Sequence, residues 1–135
     1  MTVHINPSNA AIKAIAKIVA QGKADGALAE NFVQAVLAQV SLEDFELQDQ
    51  QAWARILNSL FDACARRTPG VACIKVSQET GIGAEPGSNR STLEIISDDF
   101  PFLVDSFKMV LDGLGISCYA IVHPVLTVSR DASGH

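Results

Sequence analysis

The chain has 135 residues, of which 48% are hydrophobic and 19% are charged, and its formal net charge is −5. This length suffices for one domain that buries about two-thirds of its unfolded surface, so folding requires neither a disulfide nor a metal. The acidic balance and the lack of a basic stripe argue against nucleic acid as a partner. No apolar run reaches the roughly 20 residues that span a bilayer, which argues against a membrane partner.

The cysteines and histidines do not form a recognisable site. Cys64, Cys73 and Cys118 are odd in number and lack the spacing of a paired metal-ligand motif. They favour buried thiols in a reducing compartment, and we expect a cytoplasmic protein. The three histidines are scattered, and no motif pairs a nucleophile with a base. The sequence therefore predicts no catalytic, cofactor-binding or metal-binding residue in this segment.

The N-terminal part of the chain predicts short amphipathic helices. Ser8 or Asn9 caps a first helix, which Gly22 ends. After a break at Asp25 and Gly26, a second helical pattern continues to about Val40, and its apolar side chains are Leu28, Phe32, Val36, Leu37 and Val40. Ser41 then begins a Ser-x-x-acid pattern, which predicts a short helical turn.

The strongest helical pattern runs from near Asp49 to Arg67. Its apolar stripe consists of Trp53, Ile56, Leu57, Leu60, Phe61 and Cys64. Arg66 and Arg67 fall in the predicted last turn, where cations favour the helix dipole. The segment Thr68-Pro69-Gly70 ends the helix.

Two strands, a helix and a further extended segment follow. Val71 to Ser77 and Thr92 to Ser97 alternate apolar and polar side chains, so we expect them to pair in one sheet, with residues 78–90 as a surface loop. Pro101 suits the first position of a helix, with Phe100 or Asp99 as its N-cap. The apolar stripe of that helix is Leu103, Phe107, Val110, Leu111 and Leu114.

The order of these elements predicts the fold class. Residues Ile116 to Ser129 are expected to form a third strand, in which Pro124 indicates a bulge or an edge. The fold is then α+β, with N-terminal helices followed by a partial ferredoxin-like β-β-α-β sheet. We divide the chain into a helical segment, 1–46, and an α+β domain, 47–135, cut from a longer chain. An exposed sheet edge favours a homodimer formed at that edge or by helix packing.

One junction in this fold is a candidate binding site. Where a strand ends and a helix begins, free N–H groups and the helix dipole favour a small anion such as an amino-acid carboxylate. Asp98 or Asp99 would then meet the ammonium group. The alternative is that these two acids only cap the helix, which contributes about 1 kcal/mol.

Three short motifs carry a resemblance to a known family. DDFPFLVDS at 98–106 is followed by IVHPV at 121–125 and VSRD at 128–131. In this order they resemble the N-terminal region of the large bacterial NAD-specific glutamate dehydrogenases. The resemblance extends over about Leu47 to Gly134 and is weak upstream of Leu47.

The resemblance implies both a fold and a function. The N-terminal region of that family carries ACT-like regulatory modules, so residues 47–135 are expected to be ACT-like. The parent protein would oxidatively deaminate L-glutamate to 2-oxoglutarate with NAD. Because NAD binding and catalysis belong to a domain further along such chains, this segment is expected to be non-catalytic.

The resemblance also implies a site and partners. ACT modules bind amino acids where the first strand meets the first helix. That position corresponds here to the candidate effector residues Asp98, Asp99, Phe100, Pro101 and Phe102. The implied partners are the rest of the parent chain, a second copy in a homodimer or higher homo-oligomer, and a small amino-acid effector.

Two other functional interpretations remain open from the sequence. The segment could be a purely structural oligomerisation element that binds no ligand. It could also be an amino-acid-binding domain that serves a different enzyme.

Overall fold

The computed structural model describes residues 6–78 and 91–135 of the chain. The helices are α1 (Asn9–Ala20), α2 (Gly26–Leu37), α3 (Leu42–Phe45), α4 (Gln50–Cys64) and α5 (Leu103–Gly113), and the strands are β1 (Cys73–Gln78) and β2 (Ser91–Ile96). This order confirms the predicted α+β class. Within the described residues, no helix is long and apolar enough to cross a membrane.

The first four helices begin at side-chain caps. Ser8, Asp25, Ser41 and Asp49 each accept a hydrogen bond from the backbone N–H three residues further on. These bonds measure between 2.7 and 3.2 Å and satisfy donors that a helix leaves free at its start. The predicted caps at Ser8 and Ser41 are therefore confirmed, and Gly22 follows α1 with the positive φ of a helix stop.

The hydrophobic core is built by α1, α2 and α4. Its buried members are Ile12, Ile15, Ala16, Val19, Ala29, Val33, Val36, Leu37, Val40, Trp53, Ala54 and Leu57. Trp53 stacks on Phe45 and donates from Nε1 to the Phe45 carbonyl oxygen at 2.8 Å. The predicted apolar stripe of α4 therefore faces the core. On α2, by contrast, Leu28 was expected among the buried apolar side chains but is exposed.

The sheet turns its polar face towards the helices. β1 and β2 are antiparallel, with Lys75 opposite Glu94 and Val76 opposite Leu93. Lys75 Nζ donates to Ser59 Oγ of α4 at 3.1 Å, and Glu94 is buried, so their face is the covered one. Residues directly opposite each other in a ladder share a face. The face formed by Ile74, Val76, Leu93 and Ile95 is therefore the outer one.

The predicted third strand is not formed. No residue between Ile116 and Ser129 belongs to a strand, although this range is fully described. The Gln39 side chain takes the place of a strand partner: its Nε2 donates to the Val125 carbonyl oxygen at 3.0 Å, and its Oε1 accepts from the Val125 N–H at 2.9 Å. Leu126 packs against the helical core. Pro124 has no N–H to donate to a neighbouring strand. The contacts of Gln39 and Leu126 hold the segment against the helices instead.

The predicted surface loop at 78–90 is only partly within the described residues. Gln78 is the last residue of β1 and pairs with Ser91. Residues 79–90 lie outside the described ranges.

Candidate functional site

The junction between β2 and α5 differs from the prediction in where the helix begins. The α5 helix starts at Leu103, two residues after the predicted first position, Pro101. Phe102 is the N-cap residue and has φ 62 and ψ 14, in the left-handed region. A residue with positive φ cannot join an α-helix, so helical hydrogen bonding begins only beyond it. Neither Asp99 nor Phe100 is therefore the N-cap.

The aspartates consequently do not cap α5. Among residues 6–78 and 91–135, no side chain makes a capping hydrogen bond at this helix start. Asp98 instead accepts from Arg67 Nη1 at 2.8 Å. The N–H groups at the start of α5 are left without a side-chain acceptor, and this is the feature that makes a helix N-terminus favourable for an anion.

Arg67 is the residue that organises this corner of the molecule. Its side chain is 13% exposed, and besides the Asp98 contact its Nε donates to the Val71 carbonyl oxygen at 3.1 Å. Its backbone N–H donates to the carbonyl oxygen of Gly134 at 3.0 Å. Arg67 therefore connects the end of α4 to the approach of β1, the exit of β2 and the C-terminal turn.

The sequence assigned Arg67 a different role. It was expected to lie in the last turn of a helix and to favour the helix dipole, but α4 ends at Cys64. The partners of Arg67 lie 31 and 67 residues away, at Asp98 and Gly134. No local pattern in the sequence signals contacts at such separations.

The C-terminal turn is fitted closely against this arginine. Gly134 has φ 87, and a Cβ at this position would overlap the Arg67 carbonyl oxygen. Arg130 Nη1 also donates to the Gly134 carbonyl oxygen, at 3.1 Å. Asp131 accepts from the backbone N–H groups of His135 and Ser133, and these bonds hold the pKa of its carboxyl below the usual value.

The five candidate effector residues lie together on the surface between β2 and α5. Asp98 and Asp99 are both exposed, but Asp98 is paired with Arg67, which leaves Asp99 as the acid without an ion pair among the described residues. Phe100 and Phe102 are 56% and 78% exposed, and Pro101 is exposed between them. The structure thus provides one free carboxylate, an uncapped helix start and two exposed aromatic rings within five consecutive residues.

A second group of titratable side chains lies between α4 and the sheet. Burial raises the pKa of the Cys64 thiol, with Arg130 lowering it and Glu94 and Cys73 raising it further. One carboxylate oxygen of Glu94, Oε2, is buried without a hydrogen-bond partner. Among the residues that the structure describes, no group of three or more histidines, cysteines and acids is arranged to hold a metal ion.

The fold and this junction define the class of the protein. A helical segment, an antiparallel strand pair and a following helix make an α+β domain of the ACT-like kind. The family model for the glutamate dehydrogenase ACT1 domain matches residues 32–135, and the chain belongs to that family. Comparison with curated proteins and with solved structures finds no match. The chain is thus a domain of a glutamate dehydrogenase, and its parent is an oxidoreductase.

Proposed function

We propose that the chain is the N-terminal regulatory and assembly domain of an NAD-specific glutamate dehydrogenase. The observation that carries this proposal is the family match over residues 32–135, which includes α4, both strands and α5. The parent enzyme would convert L-glutamate to 2-oxoglutarate by oxidative deamination in the cytoplasm. NAD would bind to another domain of the parent, and this segment would take no part in the chemistry.

The regulatory part of the proposal is that the β2–α5 junction binds an amino-acid effector. Asp99 is free to meet the ammonium group, and the uncapped N–H groups at the start of α5 would receive the carboxylate. Phe100 and Phe102 are exposed on either side of Pro101 and offer apolar contact to the effector side chain. Asp98 contributes less, because Arg67 already occupies its carboxylate.

A second candidate function is a purely structural oligomerisation segment without a ligand. The observation that favours it is the apolar surface of the C-terminal part, where β1 exposes Ile74 and α5 exposes Met109 and Val110 by more than half. Such surface on a soluble domain marks contact with other protein. The rest of the parent chain and a second copy of this chain are the partners that fit.

A thermal-shift screen against the proteinogenic amino acids distinguishes the two functions. An effector at a hundredfold excess over its Kd should stabilise the folded chain by about 2.7 kcal/mol. Asp99→Ala should abolish that shift. Asp112→Ala, which removes another exposed acid from the far end of α5, is the matched control and should retain the shift. If no amino acid shifts the melting of a well-folded sample, the regulatory proposal is wrong and the assembly function alone is supported.

A further inference from the structure

The C-terminal turn, residues 131–135, and the β2–α5 junction, residues 97–102, are both bonded to Arg67. The Gly134 carbonyl oxygen in the turn accepts from the Arg67 backbone N–H at 3.0 Å. The Arg67 side chain donates from Nη1 to Asp98 in the junction at 2.8 Å. One residue therefore holds two segments that are far apart in the chain.

The contact between the turn and Arg67 leaves no space for adjustment. Gly134 is buried and has φ 87, and a Cβ at its position would overlap the Arg67 carbonyl oxygen. The turn is closed by Asp131, whose carbonyl oxygen accepts from the Gly134 N–H at 3.1 Å and whose N–H donates to the His135 carbonyl oxygen at 2.8 Å. Arg130 Nη1 donates to the Gly134 carbonyl oxygen at 3.1 Å. A displacement of Gly134 should therefore displace the Arg67 backbone.

The Arg67 side chain is equally confined. It is 13% exposed, and its Nε donates to the Val71 carbonyl oxygen at 3.1 Å while its Nη1 holds Asp98. A guanidinium group is planar and presents its donors in a fixed geometry, so moving the Arg67 backbone should break one or both bonds. Loss of the Asp98 bond would release the segment that leads into α5, whose first helical bond runs from the Ser106 N–H to the Phe102 carbonyl oxygen at 2.9 Å.

We propose that the C-terminal turn controls the conformation of the β2–α5 junction through Arg67. While the turn is closed, Gly134 holds the Arg67 backbone, and the guanidinium group holds Asp98. When the turn opens, Arg67 loses this position and the start of α5 loosens. Coupling between two sites is reciprocal, so a ligand that favours the held junction also favours the closed turn. This last step rests on the effector site of the proposed function and names the element that regulates it.

The test measures residue-resolved amide hydrogen exchange by NMR on the whole chain without a ligand. Gly134→Ala places a Cβ against the Arg67 carbonyl oxygen and should displace Arg67. Exchange of the Ser106 N–H should then become at least about threefold faster relative to that of the Trp53 N–H. Trp53 is the reference because its N–H makes the corresponding first bond of α4, to the Asp49 carbonyl oxygen at 3.0 Å.

Gly22→Ala is the matched control. Gly22 has φ 76, so alanine there carries a similar backbone strain, but a Cβ at this position meets nothing within 4 Å. This variant should leave the ratio of the Ser106 and Trp53 exchange rates unchanged. If circular dichroism shows that Gly134→Ala does not fold, Asp131→Ala replaces it, because that change removes the side-chain acceptor of the turn.

A double variant tests whether Arg67 is the connecting residue. Arg67→Ala alone should raise the same exchange ratio, because it releases Asp98 directly. Adding Gly134→Ala to Arg67→Ala should raise the ratio no further, since the connecting side chain is already absent. Additive effects of the two changes would contradict the proposal.

Two other results overturn it. In the first, Gly134→Ala speeds exchange only in the C-terminal turn and at the Arg67 N–H, with Ser106 unchanged. In the second, the Ser106 and Trp53 exchange rates rise equally, which indicates a general loss of stability. The measurement needs no effector, so a flat amino-acid screen removes the effector site and leaves the control by the turn intact. An effector found in a chain whose Ser106 exchange does not respond to Gly134→Ala leaves the proposed function intact and overturns only this inference.

Discussion

The helical half of the molecule, residues 6–67, and the α+β half, residues 71–78 and 91–135, differ in what they do with their apolar side chains. Among the described residues, all thirteen buried apolar side chains lie between Ile12 and Leu57. Fifteen of the seventeen exposed large apolar side chains lie from Val71 onwards. The helical half therefore covers its own hydrophobic surface, whereas the α+β half leaves much of its hydrophobic surface exposed.

Packing, rather than composition, explains this difference. In the helical half the apolar stripes of α1, α2 and α4 converge on one core. In the α+β half the sheet places its polar face against α4, and α5 buries none of its residues. Stability should therefore depend on the helical half, and association on the α+β half.

The free energy of unfolding should respond very differently when one leucine in each half is replaced by alanine. Leu57→Ala should lower the free energy of unfolding by about 2–5 kcal/mol, because Leu57 is 1% exposed and its removal leaves a cavity. Leu114→Ala should change it by no more than about 0.5 kcal/mol, since Leu114 is exposed. Urea unfolding followed by Trp53 fluorescence, in dilute protein, measures both. A similar loss from both variants would show that the α+β half has a core of its own.

An intermediate effect is expected at the corner where the two halves meet. Arg67→Ala should cost about 0.5–1.5 kcal/mol, because it removes the hydrogen bonds to the Val71 carbonyl oxygen and to Asp98, both of which water can then solvate. The exposed Asp98 contributes little of this, since solvent screens its charge. Arg66→Ala removes an exposed neighbouring arginine and should be nearly neutral. Equal effects of the two variants would contradict the connecting role of Arg67.

The elements of the fold were predictable wherever the signal is local. Caps such as Ser8 and Ser41, and the apolar stripe of α4, depend on residues within one or two turns, and the structure confirms them. The prediction of a third strand was wrong because the segment is held by hydrogen bonds to Gln39, which lies 86 residues from Val125 in the chain. Alternation along β1 was also predicted, but alternation does not reveal which face a neighbouring helix will cover.

The strand–helix junction that carries the candidate site was predictable in position and less so in detail, and its role as a binding site stays a prediction. The motif at 98–106 located the junction between β2 and α5, and the structure places a strand end and a helix start there. The helix start was placed too early because Pro101 has the φ of a first helical residue, whereas the left-handed Phe102 delays the helix. The pairing of Asp98 with Arg67 joins two connecting segments 31 residues apart in the chain and could not be inferred from spacing.

A weaker effect is expected from Cys64, the last residue of α4, whose thiol should make the free energy of unfolding depend on pH. Burial raises the pKa of this thiol in the folded chain above its ordinary value of 9.0. Its contribution to stability is therefore fully present below pH 9.0 and is lost as the pH rises from 9.0 through the raised folded value, because the unfolded chain releases the proton first. Urea unfolding across this range should show a smaller decline for Cys64→Ala than for the wild type. Cys118→Ala removes an exposed thiol and should follow the wild-type curve. If the Cys64→Ala curve also runs parallel to the wild-type curve, the Cys64 thiol is not shielded by the contact between the halves.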